Sequence, residues 1–540
     1  MESSFPFAWS RSEHRDLFWF RDRMHFPHPC TPLSASLDGP AFAEGATAGY
    51  RALGAPVRIH VFTPHGYWYL APELAAPMDD LPRIRGEAMA RLLPALTRQV
   101  ELWEREYQPE AMRHNAALRD TDYAALPDRA LAARLDDIRA SRARMWDIHM
   151  RAVGPVVAAA GQFVRLYEET LGPDGGAYVL MQGFPNKSVE SGTRLWELSR
   201  LAAEQPAVRD AILSLPPRRA LAALEAAADA RPFRDAFGAF LDEYGWRSDA
   251  FELADPAWVE DPAIPLVLLR EYLRKGEDAD PAAREAQARR QRERLEQDVD
   301  VRIAGHPQEQ LFRFLQQVAR QYVPIQEDHN FYIDQMHTAL LRRPLMDAGR
   351  RLAAAGGLAS PDDVFFLTVD ELQEALLDPG RDRRTLVASR REARRAAFDL
   401  EAPDSLGAPP PEPLMQDPMF GSFYGQTRRA SYGARVLVGI PAAPGRVTAT
   451  ARVLRSLDEA GKLEAGDVLV CEMTMPPWTP LFSSVSAVVA DTGGALSHCA
   501  IVAREYGVPC VVGTGNATRV LQDGLRVTVD GGAGTVTVED

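Results

Sequence analysis

Lysine is nearly missing from this chain. Lys187, Lys275 and Lys462 are the only three in 540 residues, and arginine supplies the rest of the basic charge. That shortage excludes a Gly-x-x-x-x-Gly-Lys-Ser/Thr phosphate loop, which no segment spells. Cysteine is scarce too. Cys30, Cys471, Cys499 and Cys510 show no Cys-x-x-Cys spacing, which excludes a zinc ribbon and a disulfide framework and points to a reducing compartment. No apolar run is long enough to span a bilayer, since the most apolar stretch, 152–164, is short and interrupted by glycine. The opening Met-Glu-Ser-Ser-Phe-Pro-Phe-Ala-Trp-Ser-Arg meets charge too early for a secretory signal. A cytoplasmic protein without a membrane partner is expected. The balance of 61 basic against 75 acidic residues, net −14, also argues against a nucleic-acid partner, so any phosphate site must be local.

What is present is ample apolar content, 46%, in a chain too long for one core. Helical periodicity dominates from about 80 to 400, for example over 131–171 and 280–377. Before it, Arg58-Ile-His-Val-Phe62 and Tyr67-Trp-Tyr-Leu70 flank Thr63-Pro-His-Gly66, a hairpin-like signal. The Pro-rich run beginning at Glu401 then breaks all periodicity, and short Val-rich strands separated by Gly and Pro follow. The organisation expected is multidomain: a large mainly α-helical domain over 1–400, a linker over 401–433 and a small α/β domain over 434–540. A Pro-rich run of about a dozen residues at about 3.1 Å each reaches on the order of 35 Å, enough for a rigid-body swing.

The most informative segment is Asp491-Thr-Gly-Gly-Ala-Leu-Ser-His498-Cys-Ala-Ile-Val-Ala-Arg504-Glu505-Tyr-Gly-Val-Pro. Val485 to Ala490 reads as a buried strand, Gly493-Gly494 as a turn, and 497–506 as a helix ended by Gly507 and Pro509. His498 then sits at a helix start, where unpaired N–H groups favour negative charge. A neutral imidazole there accepts a phosphoryl group and later releases it. Thr492, Gly493, Gly494, Ser497 and Arg504 are the candidate phosphate contacts, with Arg504 alternatively paired to Glu505.

This segment resembles the phosphohistidine swivelling domain of phosphoenolpyruvate-utilising enzymes. Gly439-Ile-Pro-Ala-Ala-Pro-Gly445 is similar to that domain's opening turn, and Pro476-Pro-Trp478-Thr-Pro-Leu-Phe482 to the loop before its histidine strand. Cys499 departs from the alanine or glycine usual after the histidine and reads as a packing variant. Upstream, Cys30-Thr-Pro-Leu33, Gln182-Gly-Phe-Pro-Asn-Lys-Ser188, Phe240-Leu-Asp-Glu-Tyr-Gly245-Trp-Arg247 and Pro361-Asp-Asp-Val-Phe-Phe-Leu-Thr368 resemble, in order, the substrate-binding domain of the rifampin phosphotransferase family.

The resemblance implies a dikinase-type phosphotransferase in which phosphohistidine at His498 passes its phosphoryl group to a small, aromatic or antibiotic-like hydroxylated acceptor, with AMP and orthophosphate as co-products. It also implies an ATP-grasp module, which these 540 residues do not show. The expectation is therefore a separate ATP-grasp subunit holding ATP and Mg2+, as in the similar phenylphosphate synthase. No metal or cofactor is expected on this chain itself. Glu327 and His329, in Gln326-Glu-Asp-His-Asn330-Phe-Tyr-Ile-Asp-Gln-Met-His337, are the candidate acid/base pair. Asn330 and His337 are candidate acceptor contacts, together with His25. Arg247 reads either as a phosphate or acceptor clamp or as half of a surface stacking pair with the neighbouring Trp246. The family has arginine and lysine around the corresponding glutamate; Gln326 and Asn330 stand there here, which argues against rifamycin itself as acceptor. The alternative is a phosphocarrier that relays phosphate to another protein.

Overall fold

The computed structural model describes residues 5–9, 11–173, 175–248, 251–410 and 435–539. It is mostly helical with two sheets. The chain forms two compact units that interleave along the sequence. One takes Met1–Pro155, Ala250–Pro256 and Tyr332–Met415, the other Val156–Asp249, Ala257–Phe331 and Gln416–Asp540. Residues of the long helical region thus enter both units. Among the described residues no helix is long and apolar enough to cross a membrane.

The first unit carries an antiparallel four-stranded sheet in the order Val57–Phe62, Tyr69–Leu74, Phe18–Arg21, Ser405–Gly407. Its hairpin turns through Pro64–Gly66, where His65 (φ 54°) and Gly66 (φ 82°) take the left-handed backbone that reverses the chain. Phe5, Trp19, Tyr67, Tyr69 and Leu406 form the core on this sheet, so Trp19 is a packing residue. Residues 405–407, inside the stretch expected to be linker, are an edge strand paired to Phe18–Phe20. Leu406 supplies the reason, as its side chain completes that core. The rest of the expected linker, 411–433, lies outside the described residues. Helix Pro32–Ala52 lies close against the first part of helix Asp128–Leu171: a Cβ at Gly45 would stand 2.1 Å from the Ala143 carbonyl oxygen.

The second unit holds an eight-stranded mixed sheet. Its parallel centre is Arg446–Leu454, Val468–Cys471, Ala487–Ala490 and Cys510–Val512. Val468–Cys471 and Ala487–Ala490 are buried at every position, which is why they read as unbroken apolar runs. Helix His498–Tyr506 connects Ala487–Ala490 to Cys510–Val512, so its N-terminus lies at the carboxyl end of a parallel strand, where ligands bind in open α/β sheets. The same unit includes helices Lys187–Ala203, Arg231–Tyr244, Ala263–Lys275, Pro281–Ile303 and Tyr322–His329.

Candidate functional site

The turn before His498 is built around Asp491. Its carboxylate accepts from the Thr514 hydroxyl at 3.1 Å and the Thr518 amide at 3.2 Å, and also from the Thr518 hydroxyl. Gly493 (φ 96°) turns the chain where a side chain would be strained, and the Ser497 amide closes the turn on the Gly494 carbonyl at 3.0 Å. Ser497 is extended at the N-cap, and its Oγ has no hydrogen-bond partner among the described residues. The helix stops at Gly507, whose φ of 65° is left-handed.

His498 is 8% exposed. Its Nδ1 lies 3.0 and 3.1 Å from the two carboxylate oxygens of Glu327, while its Nε2 has no hydrogen-bond partner among the described residues. A carboxylate only accepts, so Nδ1 carries the proton and Nε2 the lone pair. Ser188 donates its hydroxyl to Glu327 Oε2 at 2.5 Å. Burial would raise the Glu327 carboxyl, but attraction to His498, hydrogen bonds from His498 and Ser188, and nearby His329 together hold it below its usual value.

The floor beneath Glu327 is the start of helix Lys187–Ala203. Asn186 caps it, accepting from the Ser188 and Val189 amides at 3.1 and 3.0 Å. Asp328 accepts from the Lys187 amide at 2.8 Å, and burial pushes its carboxyl up to about 6. Arg247, 1% exposed, donates to Ser191 Oγ at 3.0 Å and lies over the Phe331 ring at 4.8 Å. Its Nε has no partner among the described residues, and burial lowers its pKa to about 10 against the pull of Glu327. It is a buried stacked cation, not a surface pair with Trp246.

Two sequence candidates are turned to other tasks. The Thr492 hydroxyl donates to the Glu472 carbonyl at 3.0 Å. Arg504 donates to the Ala495 carbonyl at 2.7 Å and stacks on Tyr178 at 3.8 Å, so it braces the turn and does not pair with Glu505. His329 donates from Nδ1 to the Ile325 carbonyl at 2.8 Å. Asn330 follows it, half-buried. His25 and His337 belong to the other unit. There His25 pairs with Asp22 at 2.7 Å, 5.5 Å from the Phe251 ring, and His337 bonds Asn115 at 2.9 Å, its pKa driven well down by burial. Sequence reasoning missed Ser188, Asp491 and Tyr322, the last of which donates its hydroxyl to the Leu496 carbonyl. Asn186-Lys-Ser188 was a readable helix-cap signal; nothing local to Tyr322 announces its partner.

Residues 149–327 match the fourth domain of rifampicin phosphotransferase, and residues 463–534 match the mobile domain of PEP-utilising enzymes. Chondramide synthase cmdD of Chondromyces crocatus is 33% identical over 554 residues, covering 99% of this chain and 14% of that protein. The uncharacterized phosphotransferase YvkC of Bacillus subtilis is 30% identical over 533 residues, 96% of this chain and 62% of that protein. A rifampicin phosphotransferase of Streptomyces sviceus is 32% identical over 378 residues, 69% of this chain and 42% of that protein. The chain spans less than two thirds of the length of each of these relatives. It carries the mobile domain of the PEP-utilising enzymes behind the fourth domain of rifampicin phosphotransferase, and over that stretch it is similar to the rifampicin phosphotransferases.

Proposed function

We propose that this chain is the acceptor-binding and histidine-bearing part of a dikinase-type phosphotransferase. An ATP-grasp subunit, holding ATP and Mg2+, phosphorylates His498. The phosphoryl group then passes to a hydroxyl of a small aromatic or antibiotic-like acceptor, and AMP and orthophosphate are the other products. The observation that carries this reading is the Glu327 carboxylate on Nδ1 of His498 with Nε2 left without a partner among the described residues. Relatives named rifampicin phosphotransferase support the acceptor class, and the four free cysteines fit a cytoplasmic setting.

The geometry suits both halves of the reaction. In charging, the Nε2 lone pair attacks the β-phosphorus of ATP as its bond to the AMP oxygen breaks, AMP leaves and the γ-phosphate goes to water as orthophosphate; the positive charge that develops on the ring is balanced by Glu327 across the Nδ1–H bond. In delivery, the acceptor oxygen attacks phosphorus as the N–P bond breaks. Nε2 takes back its electron pair, and because Glu327 keeps the proton on Nδ1 the leaving group is a neutral imidazole. Phosphoryl transfer of this kind depends mainly on positioning and charge neutralisation. His329, the histidine of the candidate acid/base pair two residues beyond Glu327, is our choice for the group that takes the acceptor's proton. Ser497 with its unpartnered hydroxyl and Arg247 with its unpartnered Nε are the groups proposed to meet phosphate oxygens. Asn330 remains a proposed acceptor contact.

The test incubates this chain and an ATP-grasp partner with β-labelled ATP, traps acid-labile label, and chases with a panel of phenols and alcohols. Label on His498 that moves to a small acceptor, and its loss in His498→Ala, is the expected result. Acceptor phosphorylation that survives His498→Ala overturns the mechanism, and label that moves only to another protein makes the chain a phosphocarrier.

A further inference from the structure

The thiol that follows the histidine has a partner. Cys499 Sγ lies 3.8 Å from Cys510 Sγ, and both residues are buried, 4% and 0% exposed. Cys499 is in the first turn of helix His498–Tyr506, and Cys510 opens strand Cys510–Val512. A disulfide needs about 2 Å between sulfurs, so the two thiols stand roughly 2 Å short of bonding. Cys471, by contrast, directs its Sγ to the Val489 carbonyl at 3.9 Å.

We propose that Cys499 and Cys510 are an oxidisable pair, closed to a disulfide by a hydroperoxide, and that the closed bond takes His498 out of phosphate transfer. The disulfide rests on the geometry of the pair; its consequence rests on the function proposed above. With hydrogen peroxide as the oxidant, the Cys499 thiol gives up its proton, the thiolate attacks one peroxide oxygen and the O–O bond breaks, giving a sulfenic acid and a hydroxide that takes that proton to become the first water. The Cys510 thiol then attacks that sulfur and gives up its proton. The S–S bond forms as hydroxide leaves, and hydroxide takes the proton to become the second water, two electrons having passed from sulfur to peroxide. Cys499 is the better attacker, because its hydrogen bond with Cys510 holds its thiol below the usual range, whereas burial lifts Cys510 well above it.

Closure must move the helix and not the sheet. The Cys510 strand is bonded on both sides, parallel to Ala487–Ala490 and antiparallel to Ile440–Ala443, while Cys499 sits in the first turn of a nine-residue helix. Drawing that first turn toward the sheet carries His498 with it. Its 3.0 and 3.1 Å contacts to Glu327 do not tolerate such a shift, and a misplacement of about 1 Å costs on the order of 10²-fold in rate.

The test treats the full chain with hydrogen peroxide, blocks remaining thiols with an alkylating reagent and maps the peptides by mass spectrometry. His498 phosphorylation is followed in parallel by phosphorus NMR with phosphoramidate as donor. The expected result is a peptide joining Cys499 to Cys510, alkylated Cys30 and Cys471, and a phosphorylation rate that falls about 10²-fold and returns with dithiothreitol. Cys499→Ala and Cys510→Ser each keep their rate after peroxide. Recovery of Cys499 and Cys510 both alkylated overturns the proposal, and so does a Cys499→Ala chain as sensitive as the native one. A disulfide that forms in a chain whose reduced state takes no phosphate refutes the proposed function and leaves the pair standing.

Discussion

Glu327 does two things to His498: it selects the tautomer, and it supplies a negative charge 3.0 Å from the ring. The two are separable. Glu327→Gln keeps an oxygen that accepts from Nδ1–H but loses the charge, so charging of His498 should fall about 10²-fold, as when a preorganised electrostatic partner is removed. Ser188→Ala leaves the charge and loosens the carboxylate, and should lower the rate about tenfold by removing one charge-assisted hydrogen bond. Rapid-quench trapping of acid-labile label distinguishes them, and equal losses would mean that orientation alone matters. Asp328 gives a prediction about stability. Its folded carboxyl is raised from 3.8 to about 6, chiefly by burial, so the folded state holds this proton more tightly than the unfolded chain does. Stability conferred by that proton is present below about pH 4 and is lost as pH rises to about 6. Asp328→Asn keeps an acceptor for the Lys187 amide and removes this loss. The variant should therefore gain on the native chain across that window by on the order of 1 kcal/mol, discounted for partial exposure, read from melting curves at pH 4 and pH 7.

Helix ends carry much of the site, and they are where sequence and structure agree best. Gly507 ends the histidine helix with φ 65°, and a Cβ there meets nothing within 4 Å. Gly507→Ala therefore incurs only the backbone penalty of the left-handed conformation, about 1 kcal/mol, and should lower the melting temperature by about 2 °C without blocking His498. Asn186→Ala should cost about 1 kcal/mol as a lost N-cap, and should also slow charging because Ser188 sits in the turn that Asn186 fixes. The strand, the glycine turn, His498 and Gly507 were legible because each is written locally, as a buried apolar run, a turn pair and a helix stop. The hairpin at 57–74 was legible for the same reason. The Glu327–His498 and Ser188–Glu327 contacts span 171 and 139 residues. The sequence marks the polar cluster at 326–337 but not which of its members faces the histidine. His337 lay in that cluster and is instead bonded to Asn115 in the other unit, because helical periodicity does not say where one compact body ends.

Besides the His498–Glu327 contact, residues 435–539 meet the helices of their own unit through several bonds to backbone carbonyls. Lys275 Nζ reaches the Ser483 carbonyl at 2.6 Å, Arg284 Nη1 the Tyr506 carbonyl at 3.1 Å, and the Tyr322 hydroxyl the Leu496 carbonyl. Each such bond is worth about 1 kcal/mol net, because water replaces it when it breaks. In the function proposed above, a few such bonds would hold the delivery arrangement without locking it, as a domain that leaves to be charged and returns to deliver would require. Lys275→Met with Arg284→Met removes two of these bonds and keeps much of each apolar stem. The double variant should lose about 2 kcal/mol of preference for the docked arrangement, shifting the docked-to-released ratio by about thirtyfold. If the proposed mechanism holds, delivery of label from phosphorylated His498 to the acceptor should slow by that factor, while charging on the released domain should hold its rate or gain. Single-turnover chases measure the first and rapid-quench charging the second. Equal loss in both would make these contacts plain structural supports, and loss of charging alone would mean that the arrangement seen here is the one that receives phosphate.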